Sequence, residues 1–180
     1  MPFCLRLLGG FELYRDEAQL HVASAKQRCL IASLALAMPG LCNRDDLAEK
    51  LWGWRQDGSA KQSLRTALTH LRKQFVPEPL LVSHHEEVGL DPGLITVDAL
   101  QFQALLGADD PQSLQAAADL YRSDFLDGLR VREGDIERWI SDQRGWYRSR
   151  AGNLRQTVSD RAFPRRFRGR HRCGPPGRPA

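Results

Sequence analysis

No run of apolar residues in this chain is long enough to cross a bilayer. The longest, Cys29 to Met38, is interrupted by Ser33, where a spanning helix needs roughly 20 residues. The opening residues, Met1-Pro2-Phe3-Cys4-Leu5-Arg6, lack the basic stretch and apolar core of a secretory leader. Both absences point to a cytoplasmic protein with no membrane partner. Cysteine is scarce: four residues, at 4, 29, 42 and 173, with no CxxC pair and no metal-ligand spacing. Small thiols in a reducing compartment are expected, and no metal. There is no Gly-rich phosphate loop, no HExxH and no GxSxG. Without a nucleophile, an acid/base pair or a ligand cluster, the chain is expected to be neither an enzyme nor a cofactor carrier.

Acidic residues are missing from one stretch in particular, Ser59 to Val76, and from the last twenty residues. With 180 residues, 42% hydrophobic and 27% charged, the composition is that of an ordinary globular protein able to bury a core. The net charge of +4 is unevenly spread. Residues 1–23 carry −1, 24–76 carry +5, 77–160 carry −7 and 161–180 carry +7. The sequence pI near 9.1 is therefore set by the tail. A basic middle followed by an acidic second half suggests a nucleic-acid-facing module joined to a different one.

The first 22 residues alternate. Phe3, Leu5 and Leu7 precede Gly9-Gly10, Phe11 and Leu13 precede Arg15-Asp16-Glu17, and Leu20 and Val22 resume. Period 2 with turns between reads as three short antiparallel strands. Ser24 then caps a helix that Pro39-Gly40 ends after Met38. Asn43 caps a second, whose Asp45 and Asp46 suit the positive end of its dipole. Gly53–Gly58 is a loop, and a third helix spans 59–75 with Leu64, Leu68, Leu71 and Phe75 on one face. Leu80–Val82 and Val88–Leu90 flank a polar tip and read as a hairpin over 80–90. After Asp91 the pattern is all-helical, with helices expected at 98–107, 112–121 and 135–158. Asp109-Asp110 and Glu86-Glu87 read as solvated turn residues, and Trp139, Trp146 and Tyr147 as packing residues. The tail, with seven arginines, four prolines and three glycines, cannot bury a core and is expected to be disordered. Two readings of it stand: a nucleic-acid arm, or GC-rich sequence translated out of frame.

The third helix holds the chemistry. Opposite its apolar face it shows Lys61, Gln62, Arg65, Thr66, Thr69, His70, Arg72 and Lys73. A helix is about as wide as the major groove of B-DNA, and these side chains combine phosphate partners with base-edge hydrogen bonders. Gln62, Arg65, Thr66 and Thr69 are the candidates for base edges. Lys61, His70, Arg72 and Lys73 are candidates for the DNA backbone, as are Lys26 and Arg28 near the first helix, Arg44 at the start of the second, and His84 and His85 at the hairpin tip.

Leu7-Leu-Gly-Gly-Phe-Glu-Leu13, Lys26-Gln-Arg28, Asn43-Arg-Asp-Asp-Leu-Ala-Glu-Lys-Leu-Trp52 and Ser63-Leu-Arg-Thr-Ala-Leu-Thr-His-Leu-Arg-Lys73 together resemble one bacterial family. It consists of antibiotic-regulatory-protein (SARP) regulators, with an OmpR/PhoB-type winged helix joined to a tetratricopeptide-like bacterial transcriptional activator domain. Val97-Asp98 with Phe102, Leu120-Tyr121, Phe125-Leu-Asp-Gly128, Glu137-Arg-Trp139 and Gln143-Arg144 look like the opening of that second domain. The resemblance covers about 1–158. It implies a winged helix at 1–92, with a three-stranded sheet, three helices and a hairpin wing. It implies the start of the helical domain at 93–158, truncated, and a tail at 159–180.

In function, the resemblance implies sequence-specific binding to promoter DNA, often direct repeats, with transcription activation through RNA polymerase. The loop bearing Trp54, Arg55, Gln56 and Asp57 would face polymerase. Ser123 stands where the family usually has glycine. A truncated repeat domain would leave an apolar stripe with Trp146 and Leu154 exposed, a surface for homodimerisation. The alternative is a protein-interaction fragment, or the regulatory head of a larger signalling protein such as a nucleotide cyclase, without specific DNA binding.

Overall fold

The computed structural model describes residues 2–53, 59–108, 110–131 and 134–162, with side chains in the last element described to residue 154. The fold is mixed α+β, strands and helices first and helices afterwards. It is consistent with a winged helix followed by a helical segment.

Three strands, β1 (Phe3–Arg6), β2 (Glu12–Arg15) and β3 (Ala18–Leu20), form an antiparallel meander. Alternation sends Phe3, Leu5 and Leu13 inward, each almost fully buried. The sheet is not three-stranded as expected. A fourth strand, β7 (Ile95–Val97), pairs in parallel with β1, Phe3 opposite Ile95 and Leu5 opposite Val97. This strand lies past residue 92, in the stretch expected to be all-helical. Three residues carry too little period to be read, and their partner lies about 90 positions earlier.

Between β3 and β7 run three helices and a hairpin. Helix α1 (Ala25–Ala37) starts at Ser24, whose hydroxyl accepts from the Gln27 amide at 3.5 Å. Cys29 through Ala35 are all buried, because a helix apolar on every side has no solvent face to offer. A short strand, β4 (Cys42–Asn43), joins the hairpin strands β5 (Leu81–His84) and β6 (Glu87–Leu90) in a second sheet of order β4-β6-β5. Asn43 caps α2 (Arg44–Trp52), its side-chain Oδ1 accepting from the Asp45 amide at 2.8 Å. Helix α3 (Ala60–Gln74) buries Leu64, Ala67, Leu68 and Leu71.

The second half comprises α4 (Asp98–Leu106), α5 (Pro111–Leu120) and α6 (Gly134–Ala162). Asp110, partly exposed in the bend before α5, is also that helix's N-cap. Its carboxylate caps α5, accepting from the Gln112 and Ser113 amides at 3.0 and 2.9 Å, and the Ser113 hydroxyl, with those amides, holds its pKa below the usual value. Phe102, Tyr121, Phe125 and Tyr147 form an aromatic cluster, with Phe125 and Tyr147 stacked at 5.5 Å and Trp139 edge-on to Phe125. Trp139 and Tyr147 therefore pack, as expected. Gln103 donates to the buried Tyr147 hydroxyl at 2.7 Å.

Two expectations for α6 are corrected. The helix continues through 159–162, where the disordered tail was expected to begin; residues 163–180 lie outside the described residues. The expected exposed stripe is absent in part. Leu154 is 3% exposed, buried with Tyr147 and Ala151, and among the described residues of α6 Trp146 is the large apolar side chain left open, at 38%, with the Arg150 guanidinium 5.2 Å from its ring. Cys29 is buried while Cys4 and Cys42 are half-buried.

One carboxylate joins the halves. Asp98, in the first turn of α4, accepts from the amides of Leu7 at 2.7 Å and Leu8 at 3.0 Å while 7% exposed. Burial pushes its pKa up, and those two donors work in the opposite direction. The chain just past β1 thereby turns outward. Its carbonyls receive the loop before α6: Leu126 donates to Leu7 at 2.9 Å and Asp127 to Gly9 at 2.7 Å. Gly9 sits at φ +141°, with the Arg122 guanidinium 3.3 Å from where a Cβ would stand, so only glycine fits the turn. Arg144 completes the joint, donating to the carbonyls of Phe125, Leu126 and Leu129.

Asp98→Asn substitutes a donor for one of two acceptors and sets it against a buried N–H. It is expected to lower stability by about 2–3 kcal/mol, read as a fall in urea midpoint, with a conserved far-UV spectrum.

Candidate nucleic-acid interface

Burial orients α3. Four residues facing inward leave Lys61, Gln62, Arg65, Thr66, Thr69, His70, Arg72 and Lys73 all exposed. At 3.6 residues per turn, Gln62, Thr69 and Lys73 point directly away from the buried stripe. Arg65 and Arg72 lean to the hairpin side, and Thr66 and His70 to the α1 side. The clefts beside the helix agree. On the hairpin flank, Arg44, Lys61 and Arg65 border one small cleft. On the other, Lys26, Gln62, Thr66 and His70 border an open one of about 440 Å³ between α3 and the start of α1.

The structure qualifies several roles. Thr66 and Thr69 donate their hydroxyls to the carbonyls four residues back, Gln62 and Arg65, at 3.0 and 2.9 Å. Their protons are engaged within the helix, so outward they offer a methyl group and an acceptor oxygen. Lys61 is paired with Asp45 at 2.7 Å, both largely exposed, and that hydrogen bond raises its pKa. An exposed pair of this kind contributes little to stability and yields to a phosphate at little cost. Arg72 donates to Ser83 Oγ at 2.8 Å and braces the hairpin against α3. Arg28 donates to the Val22 carbonyl at 2.5 Å and ties α1 to the strand segment before it. It serves the scaffold more than the surface. Lys26 lies 5.4 Å from the Trp52 ring.

Arg44 stands at the N-terminus of α2 with a half-buried side chain. Its Nε is buried with no hydrogen-bond partner among the described residues, and its amide donates to Glu86 at 2.9 Å. His84 and His85 are exposed at the hairpin tip, rings 4.3 Å apart, with His85 at φ +50° in the turn. No group of residues among those described could hold a metal. Trp54, Arg55, Gln56 and Asp57 lie outside the described residues.

Sequence reasoning missed the acids around the basic helix. Asp45 from α2 and Glu86 from the hairpin share the cleft with Arg44, Lys61 and Arg65. The surface is thus a basic ridge with an acidic flank. Asp45 was visible as a dipole partner, but its reach to Lys61 depends on the angle between α2 and α3. A cavity of about 510 Å³ does not touch α3. It lies between α1, β4 and α2 on one side and α4 and α6 on the other. Lys50 lines it, a cation four residues past Asp46 and beside Leu47 at the edge of the apolar side of α2, where the sequence pattern did not mark it.

Among solved structures the chain is similar to EmbR of Mycobacterium tuberculosis, determined in complex with a low-affinity phosphopeptide. The TM-score is 0.68 at 20% identity, over 89% of this chain and 47% of that one. The chain spans about half the length of that structure, and the likeness is one of fold. No protein-family profile and no curated protein sequence matches the chain. No helix among the described residues is long and apolar enough to cross a membrane.

Burial pushes the Lys50 amine down to about 8 from 10.5, against a smaller raising effect of the Cys42 and Cys29 thiols. Between those values the unfolded chain holds a proton that the fold has released. Stability contributed by this group therefore rises as pH increases from about 8 to 10.5 and is flat below. Urea unfolding at pH 7.5 and 9.5 is expected to show the native chain gaining stability relative to Lys50→Met.

Proposed function

We propose that the chain is a non-catalytic, sequence-specific DNA-binding transcriptional regulator of the antibiotic-regulatory-protein type. Helix α3 enters the major groove and hairpin 80–90 serves as the wing. The observation that carries this reading is the outward face of α3: eight exposed polar residues, none acidic, opposite a fully buried stripe. The fold shared with EmbR, a regulator of that type, supports it.

Gln62 and Arg65 supply the hydrogen bonds to base edges, Thr66 and Thr69 the methyl contacts and acceptors. Lys73, on the same line as Gln62, reaches phosphate, as do Lys61 once released from Asp45, His70 and Lys26. Arg44 meets phosphate at the N-terminus of α2, where the positive end of the helix dipole adds to its charge. Arg72 holds the wing at the angle that lets His84 and His85 meet the adjacent backbone. Polymerase contact falls to the α2–α3 connection.

Fluorescence anisotropy against the DNA upstream of this gene, with random DNA as control, tests the reading. A preference of about 10³ or more for one upstream fragment is expected. Arg65→Ala should cost roughly 1–3 kcal/mol on that fragment and little on random DNA, whereas Lys73→Ala should weaken both and reduce the salt slope by about 1. Equal affinity for all DNA, with Arg65→Ala acting uniformly, overturns it.

A further inference from the structure

The 510 Å³ cavity is built at the joint between the two halves and takes no part in the DNA face. Ser33 of α1 and Lys50 of α2 lie on one wall, Gln103 of α4 and Trp139 and Gln143 of α6 on the other. Its volume is that of a small-molecule site, and a concave lining that mixes apolar surface with a few convergent polar groups is the usual form of one.

Lys50 gives the chemistry. Its Nζ lies 3.8 Å from the centre of the Trp139 ring and donates to Ser33 Oγ at 3.3 Å. An ammonium has three donors, and among the described residues no carboxylate lies within ion-pair distance of this one. Asp46 lines the same cavity and makes no ion pair with it. A half-buried cation left without a counter-anion is costly unless something else supplies one. Around it, Leu47 and the Trp139 ring offer flat apolar surface, and the Gln143 amide offers both a donor and an acceptor.

We propose that this joint binds a small organic anion, a carboxylate on a flat apolar body, with its carboxylate on Lys50 and its body against Trp139 and Leu47. The occupant touches both halves at once. It also touches α2, which packs directly on α3, so occupancy sets how the helical half sits on the helix that carries α3. That consequence for DNA rests on the function proposed above; the binding itself does not.

Calorimetry on the full chain, without DNA, tests the site. Benzoate and indole-3-acetate are the probes, with benzyl alcohol and indole-3-ethanol as their neutral counterparts. The acids are expected to bind at least about ten-fold more tightly than the alcohols, a difference of about 1.4 kcal/mol, and Lys50→Gln is expected to abolish that preference. Acids and alcohols binding alike, none of the four binding, or a preference that survives Lys50→Gln overturns the proposal. Should the variant fail to fold, the 13Cε resonance of Lys50 in the native chain must shift on titration with benzoate while Lys26, Lys61 and Lys73 stay put; no shift overturns it equally. A final arm adds benzoate to the DNA titration. A change of about five-fold or more in DNA affinity supports the coupling, and unchanged affinity with benzoate still bound overturns the coupling alone.

Discussion

Asp98 is a carboxylate taken out of water and repaid by two backbone N–H groups at 2.7 and 3.0 Å. Those donors, on Leu7 and Leu8, lie at the end of β1, where the chain leaves the sheet and has no ladder partner to satisfy them. A buried amide without an acceptor costs as much as a lost hydrogen bond. The Asp98 side chain removes that cost at two adjacent residues. In doing so it fixes the first turn of α4 against the sheet, places β7 beside β1, and turns the Leu7 and Gly9 carbonyls toward the loop that leads to α6. The relation between the halves descends from that constraint. Arg122 reinforces it at the rim, 3.1 Å from Glu12 and 4.0 Å from Asp98.

The face of α3 is a consequence of packing rather than of charge. Its four apolar residues are buried, with α2 as the main neighbour of the helix, and what remains must face outward. Neighbouring elements then decide how much of it is free to act. Arg72 is spent on the wing and Lys61 is shared with Asp45, while both threonines have turned their hydroxyl protons inward. Gln62, Arg65 and Lys73 are left as the side chains with the most to offer a groove. An acidic flank from Asp45 and Glu86 disfavours indiscriminate attraction to phosphate.

The joint between the halves has a second character. It is held by backbone hydrogen bonds and an aromatic cluster, yet it leaves a polar cavity beside them. A continuous apolar interface would have been more stable. A cation set over a tryptophan ring, between two packed bodies, is placed to respond to what enters.

Most of the local structure was legible in the sequence, because its causes are local. Alternation wrote β1 to β3, Ser24 and Asn43 announced their helices, and the apolar spacing of Leu64, Leu68 and Leu71 declared which side of α3 would be buried and so which residues would be exposed. Tertiary structure alone decided what depends on distant partners. Strand β7 exists because β1 was waiting for it. Leu154 is buried because the fold covers it, although its helix looked unpartnered. Asp45 meets Lys61 only at the angle that α2 and α3 adopt. The cavity around Lys50 is made of residues from five elements, and no period within any one of them encodes a space between them.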